Sequence, residues 1–117
     1  RAPIPEDLDF STPRSLPSRW INNAFDGWTG QARLDWPDRA LSLTLTADPL
    51  IDCYQLYRPL EGGFFAFEPM SHPPDALSMP DLGGLVPLAP GESLIGSIIL
   101  APSSRPGASG TSFGDLS

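Results

Sequence analysis

The chain has no lysine, one histidine and one cysteine in 117 residues. All seven basic residues are arginines, set against 14 Asp and Glu, for a net charge of −7. A chain so short of cations does not suit a nucleic-acid backbone, which is bound by clustered basic groups that displace counterions. A single cysteine, Cys53, rules out an internal disulfide framework and a multi-cysteine zinc site. No apolar run approaches the roughly 20 residues of a membrane-spanning helix. What is abundant is Pro and Gly, 15 and 11 residues. Together they are close to twice the usual share of roughly 12 %. Proline removes backbone donors and glycine costs backbone entropy, so long helices are not expected.

Strand signals run through the middle of the chain. Residues 40–47 alternate, with Leu41, Leu43 and Leu45 on one side and Ser42, Thr44 and Thr46 on the other. That is the period of two of a half-buried strand. The segment 31–36 before it, joined through Pro37-Asp38-Arg39, completes a predicted hairpin. Further strands are expected over 51–57, 64–68, 84–89 and 92–100. The fourth is stopped by Pro69, and Pro90-Gly91 makes a turn before the last. Residues 1–19 hold four prolines and read as an extended arm anchored by Phe10. Residues 69–83 hold four more and read as a long irregular loop, of a length that is often functional. The tail, 101–117, is expected to be flexible. The predicted architecture is all-β and antiparallel, with five or six strands in one sheet. A single sheet has two faces and needs a partner layer. The strand at 64–67 is apolar on both faces, so the chain is expected to pack against a second segment or chain.

Few residues could carry chemistry. Glu68 closes an apolar run, and a carboxylate at the mouth of a sheet suits a general base; an ordinary solvated glutamate fits the same position. His72 stands four residues on. Pro69 and Pro73 prevent a helix that would present both side chains on one face, so the pair is not a metal motif. Asp75 is expected to cap a turn. Asn22, Asn23, Phe25, Trp28 and Gln55 combine planar amides with aromatic faces, a mixture that suits sugar hydroxyls and C–H faces; loop amides and core aromatics fit equally well. Asp26-Gly27-Trp28-Thr29-Gly30 lacks the lysine and following helix of a phosphate loop. Cys53, Trp20 and Trp36 read as packing residues.

Three segments resemble the C-terminal portion of the aldose 1-epimerase (galactose mutarotase) family. Trp20-Ile21-Asn22-Asn23-Ala24-Phe25-Asp26-Gly27-Trp28-Thr29-Gly30, running on to Ala32, is similar to the family's D-x-x-F-x-G-W-x-G-x-A. Tyr54-Gln55-Leu56-Tyr57 and Phe64-Phe65-Ala66-Phe67-Glu68-Pro69-Met70-Ser71-His72-Pro73-Pro74-Asp75-Ala76 resemble a strand pair ending in E-P-x-S-H-x-P-D-A. Leu88-Ala89-Pro90-Gly91-Glu92-Ser93 resembles L-x-P-G-E-S. The likeness covers roughly residues 5–100, and the second segment is its most specific part.

The resemblance implies an antiparallel β-supersandwich of which residues 1–100 form the C-terminal part. It implies interconversion of the α and β anomers of free aldohexoses such as galactose or glucose, in the cytoplasm. A carboxylate takes the proton of the anomeric hydroxyl and a histidine protonates the ring oxygen, with no metal and no organic cofactor. Glu68 falls at the position of the base and Gln55 at that of a sugar-binding glutamine. Asn22 stands where the family usually has a sugar-binding aspartate. The family's acid histidine lies in a preceding half that these residues do not match; His72 is not that acid, and is expected to order the loop after Glu68 beside the bound sugar. An active protein therefore calls for an N-terminal half or a second chain as partner. A non-catalytic carbohydrate-binding module and a self-associating β fragment are the alternatives.

Overall fold

The computed structural model describes residues 3–104 and the backbone of 112–114. Its strands are β1 (Arg14–Ser15), β2 (Ile21–Phe25), β3 (Gln31–Trp36), β4 (Leu41–Ala47), β5 (Cys53–Arg58), β6 (Ala66–Met70), β7 (Ile98–Ser104) and β8 (Ser112–Gly114). The helical elements among the described residues are short 3-10 turns. The strands form two sheets: five-stranded, in the order β1-β8-β3-β4-β7, and three-stranded, in the order β2-β5-β6. Every pairing whose register is known is antiparallel. The all-β class is as expected, but a single sheet is not what forms.

The chain divides into two compact units. The first comprises 1–18, 31–46 and 99–117. Its centre is the expected hairpin, β3 and β4 in register from Gln31 opposite Thr46 to Trp36 opposite Leu41. The link is a 3-10 turn over Pro37–Arg39, closed by Ala40 in the left-handed conformation. Alternation sets which residues share a face, and Leu34 and Leu45 are buried as it requires. It does not keep Ser42 in solvent: that residue is 6 % exposed while Leu41 is 43 % exposed. Ser42 is tolerated inside because its hydroxyl donates to Asp35 Oδ1 at 2.6 Å, an oxygen that also takes Arg33 Nε at 3.1 Å. The proline-rich arm is anchored as expected, with Phe10 2 % and Leu8 1 % exposed. It is partly regular: Glu6–Leu8 is a 3-10 turn whose Glu6 carbonyl accepts from Arg14 Nη1.

Two expectations near the end of the chain are corrected. Residues 84–89 form no strand, and the last expected strand lies further on, at Ile98–Ser104. It therefore takes in part of the segment read as a flexible tail, and β8 takes in another. The remaining tail residues, 105–111 and 115–117, lie outside the described residues. Pro102 is accommodated because β7 ends the sheet order, and an edge strand tolerates a missing donor. The turn at Pro90-Gly91 does form. Glu92 N–H donates to the Ala89 carbonyl at 3.0 Å and Ala89 N–H to Glu92 Oε1 at 2.7 Å, with Gly91 at φ +88°.

The second unit comprises 19–30 and 47–98 and contains the three-stranded sheet. Gly30 ties its first segment to Ala47. The Gly30 carbonyl accepts from Ala47 N–H at 2.7 Å, and at φ +87° a Cβ there would stand 2.7 Å from the Ala47 carbonyl oxygen. Only glycine meets both demands. Farther along, Asp48 holds Ser97 by accepting from its N–H at 2.8 Å and its hydroxyl at 3.3 Å. Residues 69–83 are largely irregular, as expected, with 3-10 turns at Ala76–Ser78 and Pro80–Gly84.

Candidate functional site

The three-stranded sheet sorts its residues by parity. In register, Ala24, Gln55 and Glu68 stand side by side across β2, β5 and β6, and the next row is Asn22, Tyr57 and Ala66. Directly paired residues project to the same face, as do residues two apart along a strand. Asn22, Gln55 and Glu68 therefore share one face. Asn22, Ala24 and Glu68 are exposed there and Gln55 is half-buried. Gln55 Nε2 donates to Asn22 Oδ1 at 2.6 Å across 33 residues of chain. The other end of that amide, Gln55 Oε1, is shielded from solvent and has no hydrogen-bond partner among the described residues. Leaving a shielded acceptor unpaired costs roughly 1–3 kcal/mol.

The opposite face is mostly apolar, with half-buried Asn23 and Arg58 as its polar members. Phe25, Tyr54 and Phe67 stack on it, with ring centroids 4.7 Å apart for Phe25–Tyr54 and 4.8 Å for Tyr54–Phe67. Trp28 meets Tyr54 and Phe67 edge-on at 5.7 and 5.5 Å. Its backbone N–H donates to the Asp52 carbonyl at 2.8 Å, which seats the indole beside the start of β5. Phe25 and Trp28, expected as a sugar platform, thus lie buried in an aromatic cluster, while Asn22, Gln55 and Glu68 line the other side. Their packing role follows from the strand parity that joins Phe25 to Ile21.

Glu68 itself is placed differently from the sequence reading. Pro69 does not end the strand; β6 runs through it from Ala66 to Met70. β6 ends its sheet, so the missing N–H of Pro69 is tolerated. Glu68 is accordingly the middle of a strand, held by pairing on Gln55, and not a frayed end. His72 lies beyond β6, with its Nδ1 2.9 Å from Ser71 Oγ in a shared hydrogen bond. Asp75 sits before the turn at Ala76–Ser78, but it caps with its backbone carbonyl, which accepts from Ser78 N–H at 3.0 Å, and not with its side chain. Arg58 closes the end of β5, where its Nη1 donates to the carbonyls of Arg19 and Pro59, both at 3.1 Å.

Cys53 is the packing residue expected. It is 4 % exposed, and burial, reinforced by a 3.4 Å hydrogen bond to Asp52 Oδ1 and by the charges of Asp52 and Asp26, pushes its thiol up to about 12. It stays protonated at neutral pH and is no nucleophile. Among the described residues no three His, Cys, Asp or Glu side chains gather as a metal-binding group, and no helix is long and apolar enough to cross a membrane. The signal that sequence reading lacked was the Asn22–Gln55 contact, because only the pairing of β2 with β5 brings those amides together.

No protein-family model matches the chain. It is 40 % identical over 97 residues to the "Uncharacterized protein YphB" of Escherichia coli (strain K12), a match taking in 77 % of this chain and 33 % of that protein. It is also similar to the crystal structure of a "Putative aldose 1-epimerase" from Escherichia coli K12. There the TM-score is 0.78 and the identity 37 %, over 87 % of this chain and 38 % of that one. The chain spans between a third and two fifths of the length of these relatives. Its all-β, antiparallel architecture is that of the solved neighbour.

Proposed function

We propose that the open face of the three-stranded sheet is the base-bearing part of an aldose 1-epimerase site. Glu68 is its catalytic base and free aldohexoses, galactose or glucose, are its substrates. The observation that carries the reading is that Asn22, Gln55 and Glu68 share one face, with Gln55 paired to Glu68 and hydrogen-bonded diagonally to Asn22 in the next row. The likeness to the solved neighbour supports it. The ionised Glu68 carboxylate takes the proton of the anomeric hydroxyl. As the O1–H bond breaks, a carbonyl forms at C1, the C1–O5 bond opens, and O5 takes a proton from an acid. Rotation about C1–C2 and reversal of these transfers close the ring on the other face. Gln55 and Asn22 bind sugar hydroxyls, which suit neutral amides. The setting that goes with this chemistry is the cytoplasm.

The acid is supplied by polypeptide outside these residues. Exposed apolar residues support the presence of a covering polypeptide: Ile98, Ile99 and Leu100 of the edge strand β7 are 40 %, 63 % and 59 % exposed. Apolar residues exposed in succession on a sheet edge mark a surface meant for cover. The relatives are between two and a half and three times as long as their match to this chain, enough to provide it.

The test is polarimetric. In protein that includes the acid-bearing polypeptide, Glu68→Gln is expected to slow mutarotation of galactose by about 10²–10⁴-fold with the fold intact. An unchanged rate removes Glu68 from the mechanism. One observation favours a second reading, a carbohydrate-binding module without turnover: Asn22 replaces a charged aspartate in the pattern the first segment resembles. Sugar binding without any gain in anomer exchange decides for that reading.

A further inference from the structure

Gln55 stands between two neighbours of different kinds. Toward β2, its Nε2 donates to Asn22 Oδ1 at 2.6 Å. Toward β6, its directly paired residue on the same face is Glu68, and such pairs hold their Cβ atoms roughly 4.5–5.5 Å apart. A carboxamide has one accepting end and one donating end. Whichever end serves β2, the other is left for its remaining surroundings. In the observed sense the remaining end is Oε1, shielded and unpartnered among the described residues.

Asn22 does not fix that sense, because it is itself an amide. Turning both amides over leaves an N–H···O contact in the same place, with Asn22 Nδ2 donating and Gln55 Oε1 accepting. The shielded end is then Nε2, a donor. The two senses suit the two forms of Glu68: a protonated carboxyl donates to Oε1, and an ionised carboxylate accepts from Nε2. An aspartate at position 22 could only accept, and would pin Gln55 in the first sense.

We propose that Gln55 is a positioning residue for Glu68, its amide reversing as Glu68 gains or loses its proton, and that Asn22 permits the reversal. This rests on the reading of Glu68 as the base. Before abstraction Nε2–H holds the carboxylate on the open face; after it, the carboxyl O–H is held by Oε1. No bond to carbon changes in the reversal itself; the proton that Glu68 gains comes from the anomeric hydroxyl and returns to that oxygen as the ring closes, and in the sugar-free chain it exchanges with solvent. The other titratable groups by strand parity on this face are Tyr57 and Cys53 of β5, the latter beside Asp52 and Asp26; β2 contributes none, β6 only Glu68, and His72 follows β6. The Cys53 thiol is raised to about 12, well clear of the carboxylate range, which leaves His72 as the group to be controlled for.

The experiment follows side-chain amide ¹H–¹⁵N signals and carboxyl ¹³C signals of the full chain from about pH 3 to pH 8. The Gln55 and Asn22 NH₂ signals are expected to move together, in one step, with the midpoint of the Glu68 carboxyl carbon. The step is expected to vanish in Glu68→Gln and to persist in His72→Gln. Glu68 lies on the exposed face, and the wild-type titration alone already decides, so the outcome does not hang on either variant folding. Amide signals that stay flat while Glu68 titrates overturn the proposal, as does a step that survives Glu68→Gln or is lost in His72→Gln. A chain that shows the step but neither binds nor turns over sugar keeps the positioning pair and loses the epimerase reading. A chain that binds sugar with flat amide signals loses the pair alone.

Discussion

The two faces of the three-stranded sheet are made by the same strands and differ only in parity. One gathers the stacked rings of Phe25, Tyr54 and the half-buried Phe67 beside the buried Leu56. The other keeps Asn22, Gln55 and Glu68 together on an open surface. Packing on the first face fixes the backbone, and the backbone fixes the spacing of amides and carboxylate on the second. A site built this way sits on strands whose register a buried layer enforces, since a one-residue slip would bury Glu68 and expose Tyr54. The aromatic residues hold the strands that carry the open face.

The contrast can be broken from either side. The largest effect is expected from Glu68→Gln, which should cost about 10²–10⁴-fold in mutarotation rate while leaving the urea midpoint near that of the parent. Tyr54→Ala should do the reverse in kind. Removing a ring that is 6 % exposed and stacked between two others is expected to lower stability by roughly 3–5 kcal/mol, read by urea unfolding. A loss well under 1 kcal/mol would show that the apolar layer is not what holds the register.

Cys53, buried at the start of β5 on the parity of Gln55, can be probed chemically. Its thiol is raised to about 12 from an ordinary 9.0, so alkylation at mildly alkaline pH should be at least about a hundredfold slower in the native chain than in denaturant. The linkage sign follows from the neutral form being favoured by folding. The native state holds this proton more tightly, so the contribution is whole below pH 9 and falls as pH rises from 9 toward 12. A Cys53→Ser variant with the same alkaline unfolding profile would contradict that. The smallest effect is expected from Asn22→Ala: one exposed hydrogen bond is lost, and stability changes by about 1 kcal/mol or less while sugar affinity weakens.

Much of the local structure was legible in the sequence. Leucine alternation and a Pro-Asp turn specify the 31–47 hairpin, because the period-two sequence pattern and the turn chemistry agree there. What was not legible depends on position in a sheet. Pro69 read as the stop of a strand and Pro102 fell in the segment read as a flexible tail, yet both lie in strands at the end of a sheet order, where a missing donor goes unused. Val86, Leu88 and Leu94 read as strand residues and are instead exposed in irregular chain, since apolar residues alone do not make a strand. Alternation also left open what each face meets, so the burial of Ser42 on Asp35 was invisible. For the site, Glu68, Gln55 and Asn22 could each be singled out by residue type or by resemblance. That they share a face while Phe25 and Trp28 do not emerges only from the register of β2, β5 and β6.

The most direct test of the open-face site is a galactose titration of the ¹⁵N-labelled chain, mapped residue by residue. The account expects shifts at Asn22, Gln55 and Glu68, with the signals of Leu56 and Phe67 on the closed face nearly still. Shifts centred on the aromatic face, or none at Asn22, Gln55 and Glu68, would contradict it.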